Sequence, residues 1–333
     1  MAGKAQHTVQ RFHIAQFAGH DPKGHVWIYD NRSGEPRSAI PANVSIENNF
    51  YSFEREDGTW DNLLDDWITK VEGKATPVYV KLLDGKTPPY SQDKYDFAQY
   101  LALTYVRTRT MRRMSAETIG QMMQVKHYAH AENSKAFEVG VARYEKDKGK
   151  ILTPEAKEDL RKSLLDPSGF IMSLPKDLGF AGFHVLDDLT DIFLNTHWSL
   201  VDAGSGFYMT SDNPLLRMVS GPRPRRDFGF RHKTMEVTFP LSPRRMLLLT
   251  YEKPPADRWI ASKETVREQN EGRAVSCEHE LYCHLEHKHV ARLSARFKDK
   301  RLNRKVFGYG PKEYAPVKVR RRRKREIDAL KAE

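Results

Sequence analysis

The segment MEVTFPLSPRRMLLLTY, residues 235–251, indicates that this chain is not purely helical. Its apolar residues alternate with a period of two in two places, and this alternation predicts strands at 235–239 and 246–251. Upstream, the segments 197–201 and 207–210 show the same period and predict two more strands. We therefore expect the second half of the chain to hold a mixed or antiparallel β-sheet.

The residues before this sheet are expected to be mostly helical. In 60–83 the apolar side chains recur at helical spacing, with acidic residues early and a lysine late, as the helix dipole favours. Another helix is expected to begin after Ser91, a plausible N-cap, and to run past Met123. Two further helices are predicted at 154–165 and 183–195.

Shorter elements complete both ends: a strand at 25–30, a helix at 265–275, a strand at 280–285 and a helix at 289–297. No internal repeat and no clear linker interrupts the chain. The sequence thus predicts an α+β fold, in which a largely helical middle packs with the sheet of the second half. One composite domain is expected over residues 1–297, followed by a basic, flexible tail at 298–333.

Positive charge is concentrated in that tail. The 333 residues include 55 Lys or Arg and 44 Asp or Glu, for a formal net charge of +11. Residues 298–325 alone carry thirteen Lys or Arg against two acids, which equals the net charge of the whole chain. The body that precedes them is therefore close to neutral.

The basic run of the tail predicts a nucleic-acid partner, RNA or DNA, because each phosphate that a cation neutralises releases counterions. Seven of the eight residues at 318–325 are basic: Lys318, Arg320, Arg321, Arg322, Arg323, Lys324 and Arg325. A solvated tail with no specific partner is the alternative interpretation. An anionic membrane surface would also attract such a run, but no amphipathic anchor accompanies it.

Cysteine usage and hydropathy indicate a cytoplasmic location. Two cysteines, Cys277 and Cys283, are too few for a disulfide framework in a chain of this length, which favours a reducing compartment. Residues 1–7 lack the apolar core of a signal peptide. No apolar run approaches the roughly 18 residues of a transmembrane segment.

Four arginines fall within seven residues of one predicted helix: Arg107, Arg109, Arg112 and Arg113. Helical spacing puts Arg109 on one face with Arg112 or Arg113, and turns Arg107 toward an apolar stripe. A guanidinium that faces a core needs an acidic or phosphate partner, because an unpaired buried charge is very costly. Two interpretations stay open: solvated helix charges with one internal ion pair, or a site for a phosphodiester.

A predicted strand ends abruptly at Asp212 and Asn213, and Pro214 prevents its continuation. Asp212 could hold a divalent metal or orient a base, and Asn213 could bind backbone or ligand. The same residues also make a good turn, in which the side chains simply cap backbone amides.

His7 lies in a polar and apolar alternation near the start of the chain. A lone histidine in such a place is more often a hydrogen-bonded structural group than a proton carrier, and both roles stay open.

Six cysteines and histidines gather between residues 277 and 289, but their spacing disfavours zinc. Cys277 and Cys283 are six positions apart, whereas paired zinc ligands are separated by about two to four residues. No Gly-rich phosphate loop, nucleophile elbow or His-Glu-x-x-His motif occurs.

Several short motifs occur in an order that resembles one bacterial family. Residues 6–12 resemble its opening His-His-x-Val-Pro-Gln-Phe, 105–108 its Arg-Thr-Pro helix, and 210–214 its Ser-Asp-Asn-Pro turn. Further matches are 49–51, 68–72, 240–243 and Asn270 followed by Ala274. Over about residues 6 to 285 the chain thus resembles the family catalogued as domain of unknown function 4238. It departs from the family pattern at Gln6, which replaces the first His, and at Gln10 and Arg109, which replace prolines.

Some members of that family are associated with anti-phage defence islands, and the resemblance therefore implies an effector that acts on nucleic acid. Our first hypothesis is a metal-dependent, nuclease-like phosphodiester hydrolase. In it Asp212, Glu72 and Glu236 would bind Mg²⁺ or Mn²⁺, His7 would carry the proton, and Arg107 would hold a phosphate.

The second hypothesis is a non-catalytic nucleic-acid-binding or sensing protein that docks through its basic tail. In both hypotheses Arg109, Arg112 and Arg113 are expected to contribute phosphate contacts. Asn213 and Asn270, which lie in matched motifs, are expected to belong to the site.

Overall fold

The computed structural model describes residues 4–19, 23–33, 35–166, 172–174, 177–219, 229–298 and 319–321. These residues group into two compact units. The first comprises 1–111 with 182–302, and the second comprises 112–181 with 303–333. The expected single composite domain stays a prediction. Most of the basic tail, including Lys318 and 322–325, lies outside the described residues.

The described residues form nine α-helices: α1 (Arg11–Ala15), α2 (Leu63–Leu83), α3 (Gln92–Val106), α4 (Arg109–Glu132), α5 (Ser134–Lys148), α6 (Pro154–Leu165), α7 (Leu186–Leu194), α8 (Lys263–Ser276) and α9 (Lys288–Arg296). They also form these strands: β1 (Ala5–His7), β2 (Val26–Asp30), β3 (Pro36–Ala39), β4 (Ile46–Asn48), β5 (Phe53–Glu54), β6 (Trp60–Asp61), β7 (Met172–Leu174), β8 (His197–Asp202), β9 (Thr210–Ser211), β10 (Leu216–Val219), β11 (Met235–Ser242), β12 (Arg245–Thr250), β13 (Arg258–Ile260), β14 (Glu280–Cys283) and β15 (Val319–Arg321). The predicted α+β class is confirmed.

The larger sheet of the first unit has the strand order β10-β11-β12-β8-β13. β13 is parallel to β8, and the other neighbours are antiparallel, so the sheet is mixed. On β11 residues 237–241 are all buried, so both faces of this central strand are covered. The ring of Phe239 contacts Tyr79 of α2 and Tyr100 of α3, which places both helices against this strand.

The smaller sheet, β3-β2-β14-β9, is antiparallel throughout. β14 is buried along its whole length, because it pairs with β2 on one side and β9 on the other. The chain leaves β9 directly at Asp212, so this sheet fixes the position of that carboxylate. The strand pair β1 and β4 sets the position of His7 in the same unit.

The prediction of one long helix that runs past Met123 is wrong, because the helix is interrupted at Arg107 and Thr108. Thr108 accepts a hydrogen bond at Oγ1 from the amide of Met111 (3.1 Å), which is the geometry of an N-cap, and α4 starts at the next residue. The helix predicted at 60–83 begins at Leu63, since 60–61 pair with β5. Of the strand predicted at 207–210, only Thr210 lies in a strand, as the first residue of β9.

In the second unit, α5 was not predicted from the sequence. Asn133 caps it by accepting the amide of Ala136 (3.1 Å), and Gly149 ends it with φ of 64°. Only Phe137 and Val141 of this helix are buried, so its apolar pattern is sparse. None of the described helices combines the length and the apolar character needed to cross a membrane.

Candidate functional site: a histidine, a carboxylate and a guanidinium

Arg107 lies at the break between α3 and α4, with its side chain only 2% exposed. Its Nη1 donates a hydrogen bond to Oε1 of Glu72, its Nη2 donates to the carbonyl oxygen of His7 (2.8 Å), and its Nε donates to that of Thr8 (3.4 Å). The guanidinium also lies 5.4 Å from the centre of the Tyr51 ring. The ion pair with Glu72 confirms that Arg107 faces the core and has an acidic partner.

The neighbours of Arg107 stabilise its charged form. Burial by itself would lower the pKa of this guanidinium, but Tyr51 and Glu72 raise the pKa above its ordinary value. Glu72, on α2, is 24% exposed, so the carboxylate side of the ion pair reaches toward solvent. We call His7, Glu72 and Arg107 the His7 group.

The imidazole of His7 is fixed in one tautomer. Its Nδ1 lies 3.0 Å from the carbonyl oxygen of Val44. A carbonyl can only accept, so Nδ1 carries the hydrogen and Nε2 of the neutral ring keeps a lone pair. Burial lowers the pKa of His7, and the charges of Arg107 and Arg11 lower it further, against the Val44 hydrogen bond and Glu72. A half-buried, neutral imidazole with a free basic nitrogen can accept a proton at neutral pH.

The two glutamines that depart from the family pattern are built into the fold next to this group. Gln6 is buried, donates to Oγ of Ser52 (2.8 Å) and accepts the amide of Tyr51 (2.7 Å). Gln10 is buried and donates to Oγ1 of Thr104 (2.6 Å). Its φ of −56° lies within the range that proline imposes, so the backbone here would suit either residue.

Arg109 replaces proline at the first residue of α4, a position that proline favours because the amide there has no partner within the helix. Its Nε donates to Oε1 of Glu47 on β4 (2.6 Å). Burial opposes the charge of Arg109, but Glu47 raises its pKa overall, and Tyr282 and Asp212 also contribute. Arg109 therefore lies within electrostatic range of Asp212, although its direct partner is Glu47.

Asp212 has its own hydrogen-bond network. Its Oδ1 accepts the amide of Glu278 (2.9 Å), and its Oδ2 accepts those of His279 (2.7 Å) and Glu280 (3.2 Å). Burial raises the pKa of this carboxyl to about 7, while the amides of Glu278 and His279 pull it down. The carboxylate organises the turn that leads into β14, which is the turn interpretation of the sequence.

The two asparagines also bind backbone. Nδ2 of Asn213 donates to the carbonyl oxygen of Ser276 (3.0 Å). Asn270, on α8, accepts the amide of Met209 at Oδ1 (3.1 Å) and donates from Nδ2 to the carbonyl oxygen of Phe207 (2.9 Å). Asn270 thus holds the irregular segment before β9 on both its donor and its acceptor side.

The structure brings His7, Glu72 and Arg107 together and places Asp212 in a separate network. Glu236 lies on β11, opposite Thr250 of β12. Within the described parts of the chain, no three His, Cys, Asp or Glu side chains are close enough to hold a metal ion together.

The remaining arginines of the run have other neighbours in the second unit. Arg112 is buried and lies over the ring of Phe180 (4.7 Å), and Arg113 pairs with Glu117 (2.9 Å). In the basic tail, only the backbone of Arg320 and Arg321 is described, where β15 pairs in parallel with β7.

One buried histidine of the first unit was missed from the sequence. His13 is fully buried, with Nδ1 2.9 Å from the hydroxyl of Tyr79 and Nε2 3.0 Å from Oγ1 of Thr210. The Tyr79 hydroxyl donates to the carbonyl oxygen of Leu241 (2.6 Å), so the hydrogen between the two rings belongs to Nδ1 of His13. Burial lowers the pKa of His13 to about 3, and the charge of Arg273 adds to the effect. This side chain is a neutral structural link between α1, α2 and β9.

Arg273, on α8, was also missed. It is fully buried, and it donates to the carbonyl oxygen of Pro214 (2.8 Å) and to Oγ1 of Thr238 (3.0 Å). The signal was present in the sequence, because Arg273 shares the helix face of Val266 and Asn270 at spacings of three and four. Its function is to hold the turn after Asp212 against the larger sheet.

A comparison with protein families finds a match over residues 5–286 to the family described as "Protein of unknown function (DUF4238)". Comparisons with curated proteins and with solved structures find no match. The matched span includes the His7 group and the Asp212 turn, and it ends two residues before α9. Because it covers most of the 333 residues, this chain belongs to the DUF4238 family.

Proposed function

We propose that this protein is a nucleic-acid-associated phosphodiester hydrolase whose reaction centre is the His7 group. The observation that carries the proposal is the imidazole of His7, which is hydrogen-bonded to Val44 through Nδ1 and keeps its basic Nε2. The backbone carbonyl of the same residue accepts a hydrogen bond from Arg107, the ion-pair partner of the partly exposed Glu72, and the charges of both residues act on the imidazole. Association with nucleic acid is supported by the basic tail, in which thirteen Lys or Arg face two acids over residues 298–325.

In this proposal Nε2 of His7 takes the proton of the attacking water or hydroxyl. Such general-base catalysis is worth about 10²- to 10⁴-fold in rate. Three donor atoms of Arg107 already bind protein oxygens, so its role is to position the backbone of His7 and the carboxylate of Glu72. The phosphate contacts then fall to other cations, including Arg109 and the tail.

In this proposal Glu72 would be a ligand of Mg²⁺ or Mn²⁺. Mg²⁺ is often bound by one or two carboxylates together with phosphate oxygens of the substrate, and when bound it would neutralise charge that develops on the phosphate. Glu72 is the suitable ligand because its carboxylate is partly exposed. The oxygens of Asp212 are occupied by three backbone amides, which assigns that residue to the turn.

The experiment compares the purified wild type with His7→Asn on labelled tRNA, single-stranded RNA and duplex DNA, with and without Mg²⁺ or Mn²⁺. Asparagine keeps an N–H donor for the carbonyl of Val44 but has no basic nitrogen. We expect cleavage to fall at least about 100-fold while binding is retained. His130→Asn, an exposed residue of α4, is the control. Undiminished cleavage by His7→Asn would remove the His7 group from the mechanism.

The non-catalytic alternative is favoured by one observation, namely that the polar atoms of Arg107 and Asp212 are largely bound to protein atoms. Binding without cleavage of any of the three substrates would select it. The tail is tested by glutamine at the seven basic positions of 318–325, which keeps the backbone of β15. The salt dependence of log K should flatten by roughly 0.7 to 0.9 for each phosphate that the variant no longer neutralises.

We further propose that the biological setting is defence against phage, which rests on the family resemblance. Cells that express the wild type should reduce the plating efficiency of a susceptible phage, and cells that express His7→Asn should not. Equal protection by both would separate defence from the proposed reaction.

A further inference from the structure

The last described helix of the first unit has one strongly basic face. Lys288, Arg292 and Arg296 follow one another at a spacing of four on α9, and all three are exposed. Val290 and Leu293 on the opposite side are buried. A spacing of four residues advances about 6 Å along a helix, so the three cations form a row about 12 Å long. We call this row the α9 row.

Acidic residues do little to neutralise the α9 row. Arg296 lies 3.9 Å from Glu271, a distance at the limit of an ion pair, and the side chain of Arg296 is 64% exposed. Lys288 and Arg292 form no ion pair with any residue that the structure describes. Exposed charges that are not held by a partner remain available to phosphate.

The row continues into the basic tail along the chain. α9 ends at Arg296, and the thirteen cations of 298–325 begin two residues later at Lys298. Both segments lie beyond residue 286, where the match to the family ends. The folded row of cations and the basic run thus follow one another directly in the sequence.

Aromatic rings lie at the N-terminal end of the same helix. The ring of Phe207 lies 5.2 Å from that of His284 and 5.2 Å from that of His287. All three side chains are partly exposed. His287 is the N-cap of α9 and accepts the amide of His289 at Nδ1 (3.1 Å), which fixes the ring cluster next to Lys288. We call Phe207, His284 and His287 the ring cluster.

We propose that the α9 row and the ring cluster form a binding surface for single-stranded nucleic acid, in which the row contacts phosphates and the rings stack with bases. Proteins that bind single strands combine these two features, because every base has a flat face and the backbone carries regular charge. In a duplex the bases are already stacked on one another, so rings at the surface gain little. The inference rests on the proposed association with nucleic acid and assigns its ligand class.

The charge of the row is tested with the full chain by the triple variant K288Q/R292Q/R296Q. The matched control is K135Q/K146Q/K148Q, which removes three exposed charges from α5. Binding of a fluorescent single-stranded oligonucleotide is measured by anisotropy from 50 mM to 300 mM salt. We expect the slope of log K against log salt to fall by about 2 in the row variant only, since each neutralised phosphate is worth roughly 0.7 on single strands.

The ring cluster is tested by His284→Leu, which removes the aromatic face, against His284→Phe, which keeps it. We expect the leucine variant to bind single strands about fivefold or more weakly, and the phenylalanine variant to bind like the wild type. Circular dichroism and thermal unfolding of each variant show whether it has folded.

Three outcomes overturn the inference. Equal binding by the row variant and the α5 variant would exclude the row, and equal binding by both His284 variants would exclude stacking. Tighter binding of a duplex of the same sequence than of the single strand would assign the surface to duplex backbone instead. In each of these cases the proposed function survives. If the wild type binds neither RNA nor DNA at 50 mM salt, the proposed function fails together with the inference.

Discussion

Individual buried polar residues hold the first unit together, and His13 shows how. It is a fully buried imidazole with a hydrogen-bond partner at each nitrogen, and burial lowers its pKa from 6.5 to about 3. Such a ring stabilises the fold only in its neutral form, because protonation would put an unpaired charge in the core.

The stability of the protein should therefore decrease in mild acid. Below pH 6.5 the unfolded chain protonates His13 while the folded chain does not, so the free energy of unfolding falls by about 1.4 kcal/mol per pH unit from this residue. Between pH 6 and pH 4 the wild type should lose stability more steeply than His13→Gln, as measured by urea unfolding at each pH. His130→Gln serves as the control. Parallel curves for the wild type and His13→Gln would show that folding does not lower the pKa of His13.

A second residue-scale prediction concerns Asp212→Asn. An asparagine offers one acceptor oxygen to the three amides of 278–280, and its own N–H groups face donors. We expect the free energy of unfolding to fall by about 2 kcal/mol. Urea unfolding at pH 8 measures it. A variant that is inactive and fully stable would instead point to a direct function of the Asp212 carboxylate.

At the scale of the elements, the break between α3 and α4 sets the position of Arg107. The sequence does indicate this break, because Thr108 is a good N-cap residue and the family pattern has proline at the next position. Sequence periodicity alone predicted one continuous helix, since helical spacing persists across the break. The break turns the Arg107 side chain back to the start of the chain.

This geometry predicts that proline is tolerated at the first residue of α4 and not one turn later. Arg109→Pro should change the free energy of unfolding by less than about 1 kcal/mol, because it removes only the ion pair with Glu47. Arg113→Pro should cost about 3 kcal/mol or more, because the ring clashes with the preceding turn. Thermal unfolding of both variants provides the measurement, and a similar loss in both would place the start of α4 elsewhere.

At the scale of the whole molecule, the sequence predicted the fold class and most helices well, because an amphipathic period is a local property. It missed α5, where only Phe137 and Val141 are buried among charged residues. The strand at 207–210 was shortened because pairing with β14 depends on distant residues. The candidate site stays a prediction, because the contacts that define it are long-range and local patterns do not encode them. Arg107 reaches Glu72 and the backbone of His7, and the amides that bind the Asp212 carboxylate lie 66 to 68 positions away.

The bonds of Arg107 connect parts of the chain that are far apart in sequence. Glu72 is 35 positions from it, and His7 is 100 positions from it. Arg107→Met should lower the free energy of unfolding by about 3 kcal/mol, because it leaves the carboxylate of Glu72 without its partner. In Arg107→Met/Glu72→Gln the loss should be smaller than the sum of the single losses, which a double-mutant cycle in urea measures. Strictly additive losses would show that the ion pair is not coupled.

The long sequence separations between Arg107 and its partners also affect the kinetics of folding and unfolding. Because closing loops of this length is entropically costly, we expect the bonds of Arg107 to form only after α2 and α3 have packed, late on the folding route. Its removal should therefore speed unfolding and leave the refolding rate nearly unchanged in stopped-flow experiments. The buried guanidinium would then act as a latch, which governs how long the native protein lasts once formed rather than how fast it is reached.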